Sequence, residues 1–131
     1  SLSGVERGGY ILSDAPEALA IIIATVSEVP LALGAQKLLA EQGVPVRVVS
    51  MPSTSVFDRQ DAGYRNSVLP RELPKVAVEA GVTDYWRKYV GLDGAVVGID
   101  RFGESAPAGD LFKHFGFTAE HVAEAVRSIF G

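Results

Sequence analysis

Four short apolar runs limit what this chain can fold into. Leu19-Ala20-Ile21-Ile22-Ile23 is apolar throughout and rich in isoleucine, so a strand here needs cover on both faces. The run passes into ATVSEVP (24 to 30), and a helical spacing follows through Leu31, Ala32, Ala35, Leu38 and Leu39. Val44 to Ser50, Lys75 to Glu79 and Ala95 to Ile99 are further strand-like runs, with helical segments between them. That alternation predicts an α/β domain with a mostly parallel sheet. Gly9 to Leu12 adds a short edge strand.

Punctuation residues locate the helices. Ser27 is expected to cap the first one, with Glu28 in its first turn and Pro30 at about the third position, where no hydrogen bond is lost. That helix should run to Gln42 and end on a left-handed Gly43. Val56 to Leu69 holds one or two short helices and stops at Pro70. Thr83 can cap an aromatic helix, Asp84 to Val90. After a loop from Asp100 to Ala106, Pro107 suits a helix start, with Gly116 as the cap beyond Phe115. Thr118 caps the last helix, Phe117 is placed to staple onto Val122, and Val122, Val126 and Ile129 form its apolar stripe with Ala119 and Ala125.

A chain of 131 residues fits one domain and buries roughly two-thirds of its unfolded surface. The net charge of −4, with lysine and arginine scattered, points away from nucleic acid. No run reaches the roughly 18 apolar residues that a membrane helix needs, so no membrane is expected. No charged n-region followed by an apolar h-region opens the sequence, so no signal peptide is expected and a cytoplasmic location is the default expectation. With no cysteine, thiolate chemistry and thiolate metal sites are excluded. Residues 1–5 are expected to be a tag or linker remnant, and 6–131 the domain.

Several residues are candidates for chemistry. His114 and His121 are the two histidines; Gly116 separates them onto different helices, and no metal is expected. There is no G-x-G-x-x-G, no P-loop and no G-x-S-x-G elbow. Glu79 and Glu104 fall at the carboxyl side of the sheet, where they would either work as acid and base or make local backbone bonds. Thr25, Ser27 and Ser50 form a weak candidate anion site at the same edge, although Val26 crowds an approaching phosphate. Tyr85 and Tyr89 share one helical face, and Trp86 and Val90 another. One pair can enter the core, while the other is either core or a partner surface.

The chain also carries E-R-G-G-Y-I-L-S-D (6 to 14), V-V-S-M-P-S-T-S-V-F-D-R-Q-D (48 to 61), Y-R-N-S-V-L-P (64 to 70), W-R-K-Y-V-G (86 to 91) and F-G-E-S-A-P-A (102 to 108), in that order. Together they resemble the C-terminal, third domain of transketolase. The resemblance implies a three-layer α/β fold: a mixed, mostly parallel five-stranded sheet with helices on both faces. It implies a parent enzyme that moves a two-carbon ketol unit between sugar phosphates in the pentose phosphate pathway. That parent would be a homodimer using thiamine diphosphate and a divalent cation, Mg or Ca. In the family this domain supplies no cofactor ligand, metal ligand or established catalytic residue. The chain fits that partition, since it has no G-D-G and its single Asn is Asn66.

The resemblance makes the other domains of the parent chain the expected partners. Tyr85, Trp86, Tyr89, Arg101, Phe102 and Glu104 are the candidate interface, with dimer contacts and regulation as possible uses. One departure stands out: the family has glycine where this chain has Val26. If that turn needed a positive φ, Val26 would be strained by roughly 1–3 kcal/mol; otherwise the turn uses ordinary dihedrals. The competing expectation is a free-standing α/β module that binds a small anion through Thr25, Ser27, Ser50 and Glu104. A third is an enzyme in its own right that uses Glu79 and Glu104.

Overall fold

A computed structural model describes residues 5–79, 87–90, 95–98 and 118–130. Its centre is a five-stranded sheet of β1 (Tyr10–Ser13), β2 (Ala20–Ala24), β3 (Val46–Ser50), β4 (Lys75–Glu79) and β5 (Ala95–Gly98), in the order β1-β3-β2-β4-β5. Strands β3, β2, β4 and β5 run parallel, and β1 is antiparallel to β3 at one edge. The expected α/β fold with a mostly parallel mixed sheet is thus observed, and β4 has the bounds its sequence pattern predicts.

Side chains along a strand alternate between faces, which splits the core in two. Ala20, Ile22 and Ala24 of β2 face α1 (Val29–Glu41) and α5 (Ala119–Ser128), together with Val46, Val48, Val76 and Val78. Ile21 and Ile23 face the other side, towards Phe57 of α2 (Thr54–Asp58), Val68 of α3 (Ala62–Val68) and Val90 of α4 (Arg87–Val90). All five residues of β2 are fully buried, as its unbroken apolar run requires.

Local signals explain the helix ends. Gly43 has φ 79, with Val44 N–H donating to the Leu39 carbonyl at 2.8 Å and Gly43 N–H to Ala40 at 3.1 Å. These two bonds make the left-handed stop a complete Schellman motif. Thr118 caps α5 as expected, its hydroxyl accepting from the His121 amide at 3.2 Å. Ser53 and Asp61 cap α2 and α3 in the same way. Gly34 lets α1 approach α5, since a Cβ there would lie 3.1 Å from that of Ala119.

Two of the motifs behind the family resemblance meet in space. Gly8 has φ 85, and its carbonyl accepts from the Ser53 amide at 2.9 Å. A Cβ on Gly8 would lie 2.4 Å from both the Phe57 amide and the Ser53 carbonyl, and one on Gly9 would meet the Met51 sulfur at 2.5 Å. The G-G of the first motif is therefore the seat for M-P-S-T-S-V-F. Tyr64 locks it from above, its hydroxyl donating to the Gly9 carbonyl at 2.7 Å while Arg7 stacks on its ring. On the far side Arg47 donates to Asp14 at 3.0 Å and to the Ser67 and Val68 carbonyls, tying three segments together. That hydrogen bond holds the Asp14 carboxyl below its ordinary value.

Gly8 and Gly43 both have positive φ, yet only Gly8 is crowded. Gly8→Ala should cost about 3 kcal/mol through left-handed strain and a forced backbone shift, and Gly43→Ala about 1 kcal/mol through strain alone. Urea denaturation of the two variants measures both; equal losses would overturn the packing account.

Candidate functional site

In an open α/β sheet the ligand crevice lies beyond the carboxyl ends of the strands, where the winding direction reverses. Here β2 leads through α1 to β3 on one side, while β4 lies on its other side. The switch point is therefore beyond Ala24, at the turn that holds Thr25 and Ser27. Ser50, 3% exposed, ends β3 beside Ala24.

The turn differs from its expected form in one respect. Ser27 does not cap α1. The chain first makes a 3-10 turn over Val26–Glu28, closed by the Glu28 amide on the Thr25 carbonyl at 3.0 Å. The helix start is thereby delayed, so Glu28 is the N-cap residue, without a side-chain capping bond, and Pro30 takes the second helical position rather than the third. A 3-10 turn is right-handed with negative φ, so Val26 occupies the family's glycine position with ordinary dihedrals. Among the described residues Glu17, at φ 54, is the non-glycine residue with positive φ.

The centre of this turn is a carboxylate. Glu28 is 4% exposed, and one of its oxygens accepts from the Thr25 hydroxyl at 2.5 Å and from the Ser27 hydroxyl. A buried charge needs such donors. The hydroxyls that made this turn a candidate anion site thus serve an anion of the chain itself. Sequence reasoning placed Glu28 in the first turn for its dipole and missed its burial. The available signal was the spacing Thr25, Ser27, Glu28 at a predicted switch point.

The remaining candidates divide. Tyr89 is half-buried on α4, with its hydroxyl donating to both carboxylate oxygens of Asp58 at 3.0 Å, and its neighbour Val90 enters the core. Of the two aromatic-helix faces, Trp86–Val90 thus sends at least Val90 inward. Tyr85, Trp86, Arg101, Phe102, Glu104, His114, Phe117 and the expected elements at 83–86 and 100–116 lie outside the described residues, as does the Glu79 side chain. His121 is exposed on α5, and no cluster of three metal-ligating side chains occurs among the described residues.

Sequence reasoning also missed a cavity of about 610 Å³ at the amino end of β4, on the α2–α3–α4 face. Arg65, Arg71 and Lys75 line it. Lys75 is 7% exposed, and burial pushes its ammonium below its ordinary value, with Glu72 opposing. Its Nζ donates to the Pro70 and Leu73 carbonyls at 2.6 and 2.8 Å. A lysine opening the strand, next to Val76, Ala77 and Val78, was the one hint in the sequence.

Sheet order, two-sided helix cover and a self-occupied switch point define a doubly covered α/β domain. The family model "Transketolase-like TK C-terminal domain" matches residues 8–118, and the chain belongs to that family. Over 135 residues it is 56% identical to "Transketolase 1" of Pasteurella multocida, covering 98% of this chain and 20% of that protein. The structure of transketolase from Leishmania mexicana superposes with TM-score 0.89 at 46% identity, covering 96% of this chain and 18% of that one. A structure described as a split-gene transketolase, an inactive β4 tetramer, matches at 28% identity and TM-score 0.67, covering 95% of this chain and 43% of that one. The chain thus spans about a fifth of the length of its curated relatives.

Glu28→Ala should cost about 1–3 kcal/mol, because it leaves the Thr25 and Ser27 hydroxyls without their acceptor, and Glu28→Gln should cost less. Urea denaturation checks this, and a neutral alanine variant would show that the turn does not depend on the carboxylate.

Proposed function

We propose that this chain is the non-catalytic C-terminal domain, residues 6–131, of a cytoplasmic, thiamine-diphosphate-dependent transketolase. The parent moves a two-carbon ketol unit from a ketose phosphate to an aldose phosphate. Its other domains hold the thiamine diphosphate and the Mg or Ca ion; this one packs on them and supports the homodimer. The observation that carries the reading is coverage: nearly all of this chain aligns with about a fifth of each relative. An assembly of a related split-gene piece described as inactive supports the division of labour. No described helix is long and apolar enough to cross a membrane.

The direct test is ketol transfer by this chain with thiamine diphosphate and magnesium. No turnover is expected from the chain alone, whereas the full-length parent turns over; activity above buffer with the chain alone would sink the assignment.

Within that reading, the aromatic helix and the loop beyond β5 are the contact surface: Tyr85, Trp86, Tyr89, Arg101, Phe102 and Glu104. Helix α4 supports this, because Val90 anchors it in the core while Tyr89 stays at the rim. Trp86→Ala in the full-length parent should weaken the dimer about tenfold or more, as loss of a buried aromatic anchor does. Sedimentation across a dilution series reads this, and an unchanged dimer would remove the helix from the interface.

The free-standing anion module is the weaker reading. Its Thr25 and Ser27 hydroxyls donate to Glu28, so an added anion at that turn would meet a like charge 2.5 Å from the Thr25 oxygen.

A further inference from the structure

The cavity at the amino end of β4 lies at the opposite end of the sheet from the switch point. One wall is a face of α3 and its C-terminal edge, where Ala62, Arg65, Asn66 and Leu69 follow helical spacing. The core face of the same helix carries Tyr64 and Val68, so this wall is a second face with its own exposure. Tyr89 and Asp58 close the far side through their hydrogen bond. The floor is Lys75, on the same side of β4 as Ala77.

Charge is unbalanced there. Among the described lining residues Arg65, Arg71 and Lys75 contribute three cations against one carboxylate, Asp58, which Tyr89 already engages, while Glu72, outside the lining, acts on Lys75 through its charge. Donors remain unspent. Arg65 gives its Nε to the Gln60 carbonyl at 3.1 Å, which leaves the outer edge of its guanidinium. Arg71 makes no hydrogen bond or ion pair among the described residues. Lys75 uses two of its three N–H groups on carbonyls, and among the described residues no carboxylate salt-bridges its ammonium. Burial lowers its proton affinity despite the opposing charge of Glu72, which is what an incompletely compensated buried ammonium shows.

From this arrangement we infer that the cavity is a binding site for a small phosphate monoester, its phosphate held by Arg65, Arg71 and Lys75. Two guanidinium forks and an ammonium match a tetrahedral dianion with several acceptors, where one fork would satisfy a carboxylate. The apolar part of the lining, Leu69 and the Tyr89 ring, takes the organic body. The volume lies within the roughly 300–1,000 Å³ of small-molecule sites. The site is distinct from the switch-point turn and independent of the proposed catalytic role of the parent.

Calorimetric titration of the chain with inorganic phosphate and with glycerol 3-phosphate tests the assignment, repeated on the full-length parent. Saturable binding is expected in both proteins, tighter for the ester. Arg65→Ala and Arg71→Ala should each weaken it about tenfold, and Thr25→Val should leave it unchanged. Both arginines are exposed, so circular dichroism should report an intact fold in their variants. Absence of saturable binding, binding indifferent to both arginines, or binding lost in the full-length parent because other domains cover the cavity, each overturns the proposal.

Discussion

Everything in this structure is arranged about β2, a strand with no water on either side. Such a strand gains stability only if two independent layers cover it, and their residues must arrive from distant parts of the chain. Alternation along five residues hands Ala20, Ile22 and Ala24 to one layer and Ile21 and Ile23 to the other. Small residues on the first side admit α1 and α5 close to the sheet. Isoleucines on the second side fill the wider space beneath the short helices α2, α3 and α4. The parallel neighbours β3 and β4 then follow, because only strands on both sides of β2 satisfy its backbone.

That constraint was legible because it is written locally. An unbroken apolar run, a glycine stop at Gly43 and a threonine cap at Thr118 each act over a few residues, so the chain order of strands and helices could be inferred. The start of α1 was misplaced for an equally local reason. Ser27 is a good capping residue by type, but its hydroxyl donates to Glu28 and the chain spends one 3-10 turn before the helix begins. Side-chain preference lost to a buried charge that needed donors.

The site features were harder to see because they are assembled across the fold. Arg65, Arg71 and Lys75 are spaced through a helix, a turn and a strand, and only the folded chain gathers them around one cavity. The two glycines of E-R-G-G-Y illustrate the same limit. In the sequence they are only part of a family motif, with Gly9 opening the edge strand, whereas in the fold they are the floor on which Ser53 and Phe57 rest. A family motif can therefore record a contact between segments some fifty residues apart rather than a piece of chemistry.

The edge strand β1 carries one more consequence. Its register against β3 slips between Ile11 and Ser13, so Leu12 is an extra residue, 39% exposed, on a strand of four. A flat edge offers a regular row of amides and carbonyls to any extended peptide, but this one is short, antiparallel to its neighbour and bent at its middle. The irregularity spoils the template that a second sheet would need. It protects a domain rich in buried valine and isoleucine from growing, edge on edge, into a fibre.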